Sequence, residues 1–228
     1  MMQTESRDAA ANDAAAEPLG RTERKRLVIL EAASDLFLRQ GFLGASMDEV
    51  AALASVSKQT LYKQFANKEA LFVGVVQSMT GEASSRVQAA MIEPGDPAQV
   101  SAQLHAHAYR LLDIVLTPRL LQLRRLVIGE ASRFPELGRS LYDGGPGRSI
   151  AILAATFARW AERGLLNVED PVMAASQFNW LIMGEPINQA MLRCDDPLSD
   201  AAMRTAHVVG GVRVFLAAYG AGWSETDV

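Results

Sequence analysis

The sequence predicts an all-α protein with a small N-terminal domain of three helices and a larger helical body. Apolar residues recur at helical spacing along the chain, and no run of alternating β-branched residues bounded by hairpin turns interrupts them. Prolines and glycines divide the body into segments of helical length. The 228 residues are 49% hydrophobic and 21% charged, so the chain can bury a sizeable core.

Composition excludes several other classes of protein. The apolar fraction is too high for an intrinsically disordered chain. The single cysteine, Cys194, excludes a disulfide scaffold and a zinc site with several cysteines from one chain. The apolar runs are far shorter than the roughly 20 residues of a membrane span, and residues 1–20 lack the pattern of a secretory signal. We therefore expect a cytoplasmic protein with no membrane partner.

Charge is unevenly distributed along the chain. Residues 1–20 carry one basic and four acidic side chains and are rich in alanine, which predicts a disordered acidic tail. Residues 21–68 carry eight basic and five acidic side chains, a net charge of +3, whereas residues 69–228 have a net charge of −4. A basic module on an acidic body indicates an anionic partner for the module alone.

The first two helices of the basic module have clear end signals. The first begins near Thr22 and ends at Gly41, because glycine favours a helix end. Ser46 is followed three residues later by Glu49, and this capping box opens a second helix that reaches Leu53.

A third short helix and a long fourth helix follow. Ser57 caps the third helix, over 58–65, and Asn67 caps the fourth, which leads into the body. The second and third helices, joined by a tight turn, predict a helix-turn-helix. The residues expected to pack inward are apolar: Val50, Leu53, Val56, Leu61 and Phe65.

The outer face of the third helix is polar and basic. Lys and Gln side chains can reach base edges, while Ser, Thr and Tyr hydroxyls can contact phosphates. An ordinary solvated helix pair is the alternative interpretation, since such pairs occur in any all-α protein. The residues expected to face outward are Ser57, Lys58, Gln59, Thr60, Tyr62, Lys63 and Gln64.

The body divides into five predicted helices, and the last two are expected to form a dimer. Both are apolar over more than one face, as in helices that pack on a core and on a partner, so two from each subunit would form a four-helix interface. We interpret Gly144-Gly145-Pro146-Gly147 as a helix breaker, since it lacks the context of a phosphate-binding loop. The predicted helices are 98–116, 118–132, 146–164, 170–190 and 199–219.

Collinear motifs link the basic module to a known family. The pair Gly41-Phe42 is followed by the capping box, by Val-Ser-x-x-Thr-Leu-Tyr over 56–62 and by Phe-x-x-Lys-Glu-x-Leu-Phe over 65–72. Together they resemble the N-terminal domain of the TetR family of transcriptional regulators, over about residues 22–72. The resemblance implies a homodimeric, ligand-responsive repressor of a palindromic DNA operator. It also implies three parts: a tail over 1–20, a DNA-binding domain over 21–66 and an effector-binding and dimerisation domain over 67–228.

The family resemblance implies which residues contact DNA. Positions of the family that commonly contact DNA correspond here to Ser46, Lys58, Gln59, Thr60, Tyr62, Lys63, Gln64 and Lys68. Two departures from the family pattern affect the operator sequence that is read. Ser55 stands in the turn where glycine is usual, so it must adopt an unfavourable backbone conformation or shift the turn. Gln64 stands where histidine is frequent.

The body resembles one branch of the same family. The stretch from Arg125 to Gly138, with Gly145-Pro146 after it, looks like the C-terminal domain of the AefR-like branch. This resemblance implies a regulator of efflux or envelope-stress genes.

The middle helices predict a pocket for a small lipophilic or aromatic effector. Apolar and aromatic side chains with a few polar groups suit such a ligand, although most of them could equally be core. Glu130 could pair with a cationic ligand or with a nearby arginine. The candidate ligand-binding residues are His105, Tyr109, Leu112, Leu123, Val127, Glu130, Phe157, Trp160, Phe178 and Met183.

No motif indicates catalysis, a cofactor or a metal. His105 and His107 are two residues apart on a helix and point in different directions, so they cannot share a metal ion. The alternative to a repressor is an all-α small-molecule-binding protein or enzyme with an incidental basic patch. A regulator that acts as an activator, or that needs its ligand as corepressor, also fits the sequence.

Overall fold

The computed structural model describes residues 20–88, 91–193 and 201–222, and within them the secondary structure is helical apart from one isolated β-bridge between Leu166 and Gly220. The predicted all-α class is confirmed. The acidic tail, except for its last residue, and Cys194 lie outside these ranges. The helices are α1 (Arg21–Gly44), α2 (Met47–Leu53), α3 (Lys58–Gln64), α4 (Lys68–Gln88), α5 (Pro97–Val115), α6 (Pro118–Glu130), α7 (Pro135–Tyr142), α8 (Arg148–Glu162), α9 (Pro171–Leu192) and α10 (Ala201–Tyr219).

The predicted helix caps of the N-terminal module are confirmed. Ser46 Oγ accepts a hydrogen bond from the Glu49 N–H, and a Glu49 carboxylate oxygen accepts one from the Ser46 N–H, at 3.2 and 3.1 Å. Ser57 Oγ accepts from the Thr60 N–H at 3.1 Å, and Asn67 Oδ1 accepts from a backbone N–H in the first turn of α4. These bonds satisfy donors that the first turn of a helix leaves free, so each cap fixes where its helix begins.

Gly41 bends α1 near its end. Its φ of 75° lies in the left-handed region, so the straight part of α1 stops there, as the sequence predicts, although the last turn resumes as far as Gly44. The prediction that Leu53 packs inward is wrong, because its side chain is 52% exposed. Ala51 and, directly after α2, Ala54 take the buried positions instead.

The serine in the turn between α2 and α3 adopts the unfavourable conformation that the sequence indicates. Ser55 has a φ of 52°, the one positive value among the described residues other than glycine. We expect Ser55→Gly to raise the free energy of unfolding by about 0.5–1 kcal/mol, because glycine adopts this conformation without a Cβ clash. Urea unfolding measures the change. Ser55→Ala keeps the Cβ and is the control; an equal gain in both variants would contradict strain at this position.

Aromatic rings fill the centre of the body. Phe157 of α8, Phe178 of α9 and Phe215 of α10 have ring centroids 5.0–6.0 Å apart, and all three are buried. Pairs at such distances contribute about 0.5–1.5 kcal/mol each beyond the apolar area that they bury. The triangle of rings therefore holds three helices at fixed distances.

A proline in α9 helps to attach α10. Pro186 has no N–H, so the carbonyl of Ile182 one turn earlier lacks its usual helical partner. The Nε2 atom of His207 in α10 hydrogen-bonds to this carbonyl at 2.7 Å. A Cβ on Gly211 would lie 2.8 Å from Ile182 Cδ1, so α10 approaches α9 closely at this glycine.

The segment between the predicted helices 118–132 and 146–164 is more helical than expected. It contains α7 and one turn of π-type helix, Asp143–Gly147. Pro135 begins α7 at a position where its missing N–H costs no hydrogen bond, and Glu136 lies in the first turn, where an acid is favoured. Gly145 departs from helical geometry, with φ −101° and ψ −107°, and lets the chain turn into α8.

Helix α4 belongs to both parts of the molecule. Its first half joins the apolar cluster of α1, α2 and α3, which also includes Leu123 and Val127 of α6 and Leu137 of α7. Its last turn adds Val87 to the core of the body. No helix in the described part of the chain is long and apolar enough to cross a membrane.

A histidine is buried in the body without a hydrogen-bond partner for either ring nitrogen among the described residues. His107 is fully buried beside Phe178, and burial, with a smaller contribution from the charge of Arg110, lowers its pKa from 6.5 to about 4. Between these two pH values the unfolded chain takes up a proton that the folded chain does not. Stability is therefore lost as the pH falls through this window.

We expect His107→Leu to reduce the loss of stability between pH 7 and pH 5 by about 2 kcal/mol, because the variant has no imidazole to protonate on unfolding. Urea unfolding at the two pH values measures the difference. The matched control is His105→Leu, two residues away. Equal pH dependence in wild type and His107→Leu would contradict the assignment.

Candidate nucleic-acid interface and ligand cavity

Helix α3 presents the predicted polar face to solvent. Lys58, Gln59, Tyr62 and Lys63 are exposed, whereas Leu61 is buried and anchors the helix. Tyr62 is 49% exposed. Ser57 is exposed at the start of the helix, and Thr60 and Gln64 are half-buried.

Two predicted contact residues also form side-chain contacts within the module. Lys58 Nζ forms an ion pair with Asp48 Oδ2 at 2.6 Å, between two side chains that are both well exposed. Ser46 Oγ donates a hydrogen bond to the Glu49 carboxylate at 2.7 Å, and this bond lowers the pKa of Glu49. The exposed ion pair contributes little stability, so Lys58 can exchange Asp48 for a phosphate at low cost.

Lys68 is less available than the sequence indicates. Its Nζ donates hydrogen bonds to the carbonyls of Ala45 and Leu43, at 2.9 and 3.4 Å, and lies 4.6 Å from the centre of the Phe42 ring. The side chain is half-buried. Lys68 therefore attaches the segment before α2 to the beginning of α4, and an alanine substitution there would disturb the fold as well as any DNA contact.

Further cations lie beside the helix-turn-helix on the first turns of α1. Arg21 and Lys25 are exposed and line a shallow cleft with Ser55 and Val56 of the turn. They were not among the predicted contacts. The signal that could have found them is the run Arg21–Arg26, which contains four basic residues directly before the apolar stripe of α1.

A small cavity of about 70 Å³ lies in the body where α4 meets the helices that follow it. This volume has room for roughly five water molecules. Its walls come from α4, α5, α6, α8, α9 and the segment around the π-type turn. The lining residues are Thr80, Ala83, Ser84, Val87, Leu111, Val115, Leu120, Leu123, Arg124, Leu141, Gly145, Pro146, Ser149, Asn179 and Met183.

Leu123 and Met183 are the two predicted ligand-binding residues that line this cavity. Four of the others, Leu112, Phe157, Trp160 and Phe178, are fully buried members of the core, and Val127 belongs to the N-terminal cluster. His105, Tyr109 and Glu130 are half-buried and lie outside the wall. The charged residue of the cavity is thus Arg124, not Glu130.

Three polar side chains of the cavity lack partners among the described residues. Asn179 is fully buried, and neither its amide oxygen nor its amide nitrogen is hydrogen-bonded. Ser149 Oγ is likewise buried and unpaired. Burial lowers the pKa of the half-buried Arg124, for which the described part of the chain provides no ion pair or hydrogen bond.

Helix α4 connects the cavity directly to the DNA-binding module. Its Ser84 Oγ donates a hydrogen bond to the carbonyl of Gly144 at 3.0 Å. A Cβ at Gly144 would overlap Thr80 Oγ1, so Gly144 packs directly against α4. The cavity wall is thus in contact with the helix that begins directly after α3.

Helix α6 provides a second connection. Leu120, Leu123 and Arg124 line the cavity, and Arg119 at the same end of the helix reaches α1. Its guanidinium pairs with Asp35 at 2.6 Å and with Glu31 at 3.0 Å. The first helix of the N-terminal module thus contacts a helix of the cavity wall.

Comparison with known proteins matches both parts of the chain to one family. Residues 29–75 match the family described as bacterial regulatory proteins, tetR family. Residues 102–221, more than half of the chain, match the family described as AefR-like transcriptional repressor, C-terminal domain.

Solved structures and a curated relative agree with these matches. A Mesorhizobium loti protein assigned to the TetR family of transcriptional regulators is 34% identical, with a TM-score of 0.79, over 89% of this chain and all of that one. The flavonoid-responsive regulator FrrA is 32% identical, with a TM-score of 0.72, over 86% of this chain and 97% of that one. The HTH-type transcriptional regulator YhgD of Bacillus subtilis, described as uncharacterized, is 38% identical over 94 residues, which are 41% of this chain and 45% of that protein. The match thus covers less than half of this curated relative.

Proposed function

Because the chain belongs to the TetR family of transcriptional regulators, we propose that it is a cytoplasmic homodimeric repressor that binds a palindromic DNA operator and releases it when a small lipophilic or aromatic effector binds in the body. We further propose that the protein controls genes of efflux or envelope stress, because its body resembles the AefR-like branch. It assigns the DNA contacts to Ser46, Lys68 and the polar residues from Ser57 to Gln64.

The observation that carries the proposal is the exposed face of α3. Lys58, Gln59, Tyr62 and Lys63 are exposed, while buried Leu61 and the cap at Ser57 hold α3 in place. A helix with such a face fits the major groove. Arg21 and Lys25 extend the positive surface towards the flanking phosphates.

A dimer is supported by apolar side chains left exposed on the last two helices. Met173 and Trp180 of α9 are 52% and 41% exposed, and Met203 and Val214 of α10 are 63% and 55% exposed. Exposed apolar residues concentrated on two adjacent helices are typical of a protein interface. A dimer that binds a palindrome must hold its two α3 helices in successive major grooves, about 34–36 Å apart.

The position of the cavity supports control by a ligand. A molecule larger than the cavity must displace part of its wall, and α4 and α6 both lead from the wall to the DNA-binding module. The ligand then needs only to favour the arrangement that does not bind DNA; a preference of about 2.7 kcal/mol shifts the balance about a hundredfold. The similarity to a flavonoid-responsive regulator supports an aromatic effector.

Fluorescence anisotropy with duplexes from the upstream intergenic region of the chain's own gene tests the proposal. A dimer with ~6–10 phosphate contacts should lose 10³–10⁵-fold in affinity between 50 and 200 mM salt and still prefer one duplex over its scrambled version. If ligand-stripped protein shows no preference there and none for any genomic fragment, the protein is not a sequence-specific regulator.

A further inference from the structure

We propose that the effector is an amphipathic anion, an apolar molecule with one carboxylate or ionised phenol, whose charged group binds Arg124 while its apolar body occupies the cavity. The inference rests on the proposed function, because it takes the cavity to be the effector site. It names the chemistry of the ligand and the residue that recognises it.

The charge of the cavity wall is the first argument. Arg124 is the one charged side chain in the wall as the structure describes it, and no carboxylate stands there to balance it. The neighbouring Arg125 differs, since its guanidinium donates to the carbonyl of Ala190. A half-buried guanidinium with five donors and no acceptor is costly, and an anion that enters the cavity would supply the missing acceptor.

The unpaired amide and hydroxyl of the cavity are the second argument. Asn179 is fully buried with both ends of its amide unpartnered within the described ranges, and Ser149 Oγ is in the same state. Buried polar atoms without partners are rare in folded proteins and are most common where a ligand or water completes the bonding. Asn179 and Ser149 can therefore donate hydrogen bonds to the same ligand whose negative charge pairs with Arg124.

The rest of the wall selects an apolar body. Leu111, Val115, Leu120, Leu123 and Met183 line the same cavity as Arg124. A cavity of about 70 Å³ suits the ring or the first carbons of a short acid, and a longer acid must push against α4 or α6. The anion would therefore bind against α4 and α6, the two helices that reach the DNA-binding module.

Calorimetry with paired probes tests the proposal. Hexanoate, octanoate, benzoate and cinnamate are each titrated into ligand-stripped full-length protein beside the corresponding primary amide, which has nearly the same shape and no charge. At least one acid should bind at least about tenfold more tightly than its amide, because a charged acceptor forms a stronger hydrogen bond with a guanidinium than a neutral one does. If no acid of the panel binds more tightly than its amide, the proposal is overturned.

Three variants locate the preference. Arg124→Met should reduce the acid-to-amide ratio to less than about threefold, and Arg124→Lys should retain most of it, because only the first removes the charge. Arg139→Met, at an exposed arginine of α7, is the matched control and should leave the ratio unchanged. An unchanged ratio in Arg124→Met would overturn the proposal.

Failure of this inference is separate from failure of the proposed function. The titrations contain no DNA, and the anisotropy experiment contains no ligand. If Arg124→Met binds DNA as the wild type does while the acids show no preference for the wild type, the repressor stands and the anion is rejected.

Discussion

Replacing Tyr62 and Lys63 together by alanine should lower the affinity of the dimer for its operator by about 10³-fold, since four contacts of at least ~1 kcal/mol each are lost per dimer. Both side chains are exposed on α3 and neither takes part in the core. The free energy of unfolding should therefore change by less than about 0.5 kcal/mol. The slope of log affinity against log salt should become less steep by about 2, because at most two lysine–phosphate contacts are lost per dimer.

A control that also removes a tyrosine and a cation distinguishes this result from a general effect of charge. Tyr142→Ala with Arg148→Ala removes an exposed tyrosine and an exposed cation from the body. That double variant should bind the operator as tightly as wild type in anisotropy. Equal losses in the two double variants would show that α3 does not read the DNA. Lys68 is a poor choice for this test because its contacts with Ala45 and Phe42 are part of the fold.

Introducing charge at the exposed apolar positions of the last two helices should abolish the dimer. In Trp180→Glu with Val214→Glu, each subunit would bring two carboxylates to an interface that excludes water, at a cost of several kcal/mol. The monomer should hold only one half-site, so the affinity for the operator should fall by about 10²-fold or more. Sedimentation measures the mass of the particle, and anisotropy measures the affinity.

The matched control for the dimer is Ile128→Glu, because Ile128 of α6 is 56% exposed and Val214 is 55% exposed. It adds an acid to an exposed apolar site outside α9 and α10, and it should remain a dimer. If Trp180→Glu with Val214→Glu sediments as a dimer, the interface lies elsewhere on the molecule.

The local signals of the N-terminal module were sufficient to predict it. Ser46, Glu49, Ser57 and Asn67 act on backbone donors within three residues, so their effect is visible in the sequence itself. The strain at Ser55 was predictable from the family resemblance, because glycine is usual at this position of the turn and adopts a positive φ without strain. The exposure of Leu53 was not predictable in this way, because it depends on which of several apolar residues packs beside α1.

The ligand cavity was harder to predict because it depends on long-range packing. Phe157, Phe178 and Trp160 have the composition of a ligand pocket, yet they fill the centre of the core. Arg124 and Asn179 are polar residues within apolar helices, and this pattern could have indicated them as candidate ligand-binding residues. Periodicity alone, however, cannot show that two helices bring them to one cavity. Glu130 carries the same signal and lies outside the wall.

Selection of binding sites from a pool of random duplexes is the most direct test of the central claim, that a dimer of this chain reads a symmetric DNA sequence with two α3 helices. Ligand-stripped protein should enrich an inverted repeat whose half-sites are centred about 10 base pairs apart or a multiple of that spacing. Tyr62→Ala with Lys63→Ala should enrich no such sequence. Enrichment of a single unsymmetric site, or of no sequence by the wild-type protein, would contradict the account.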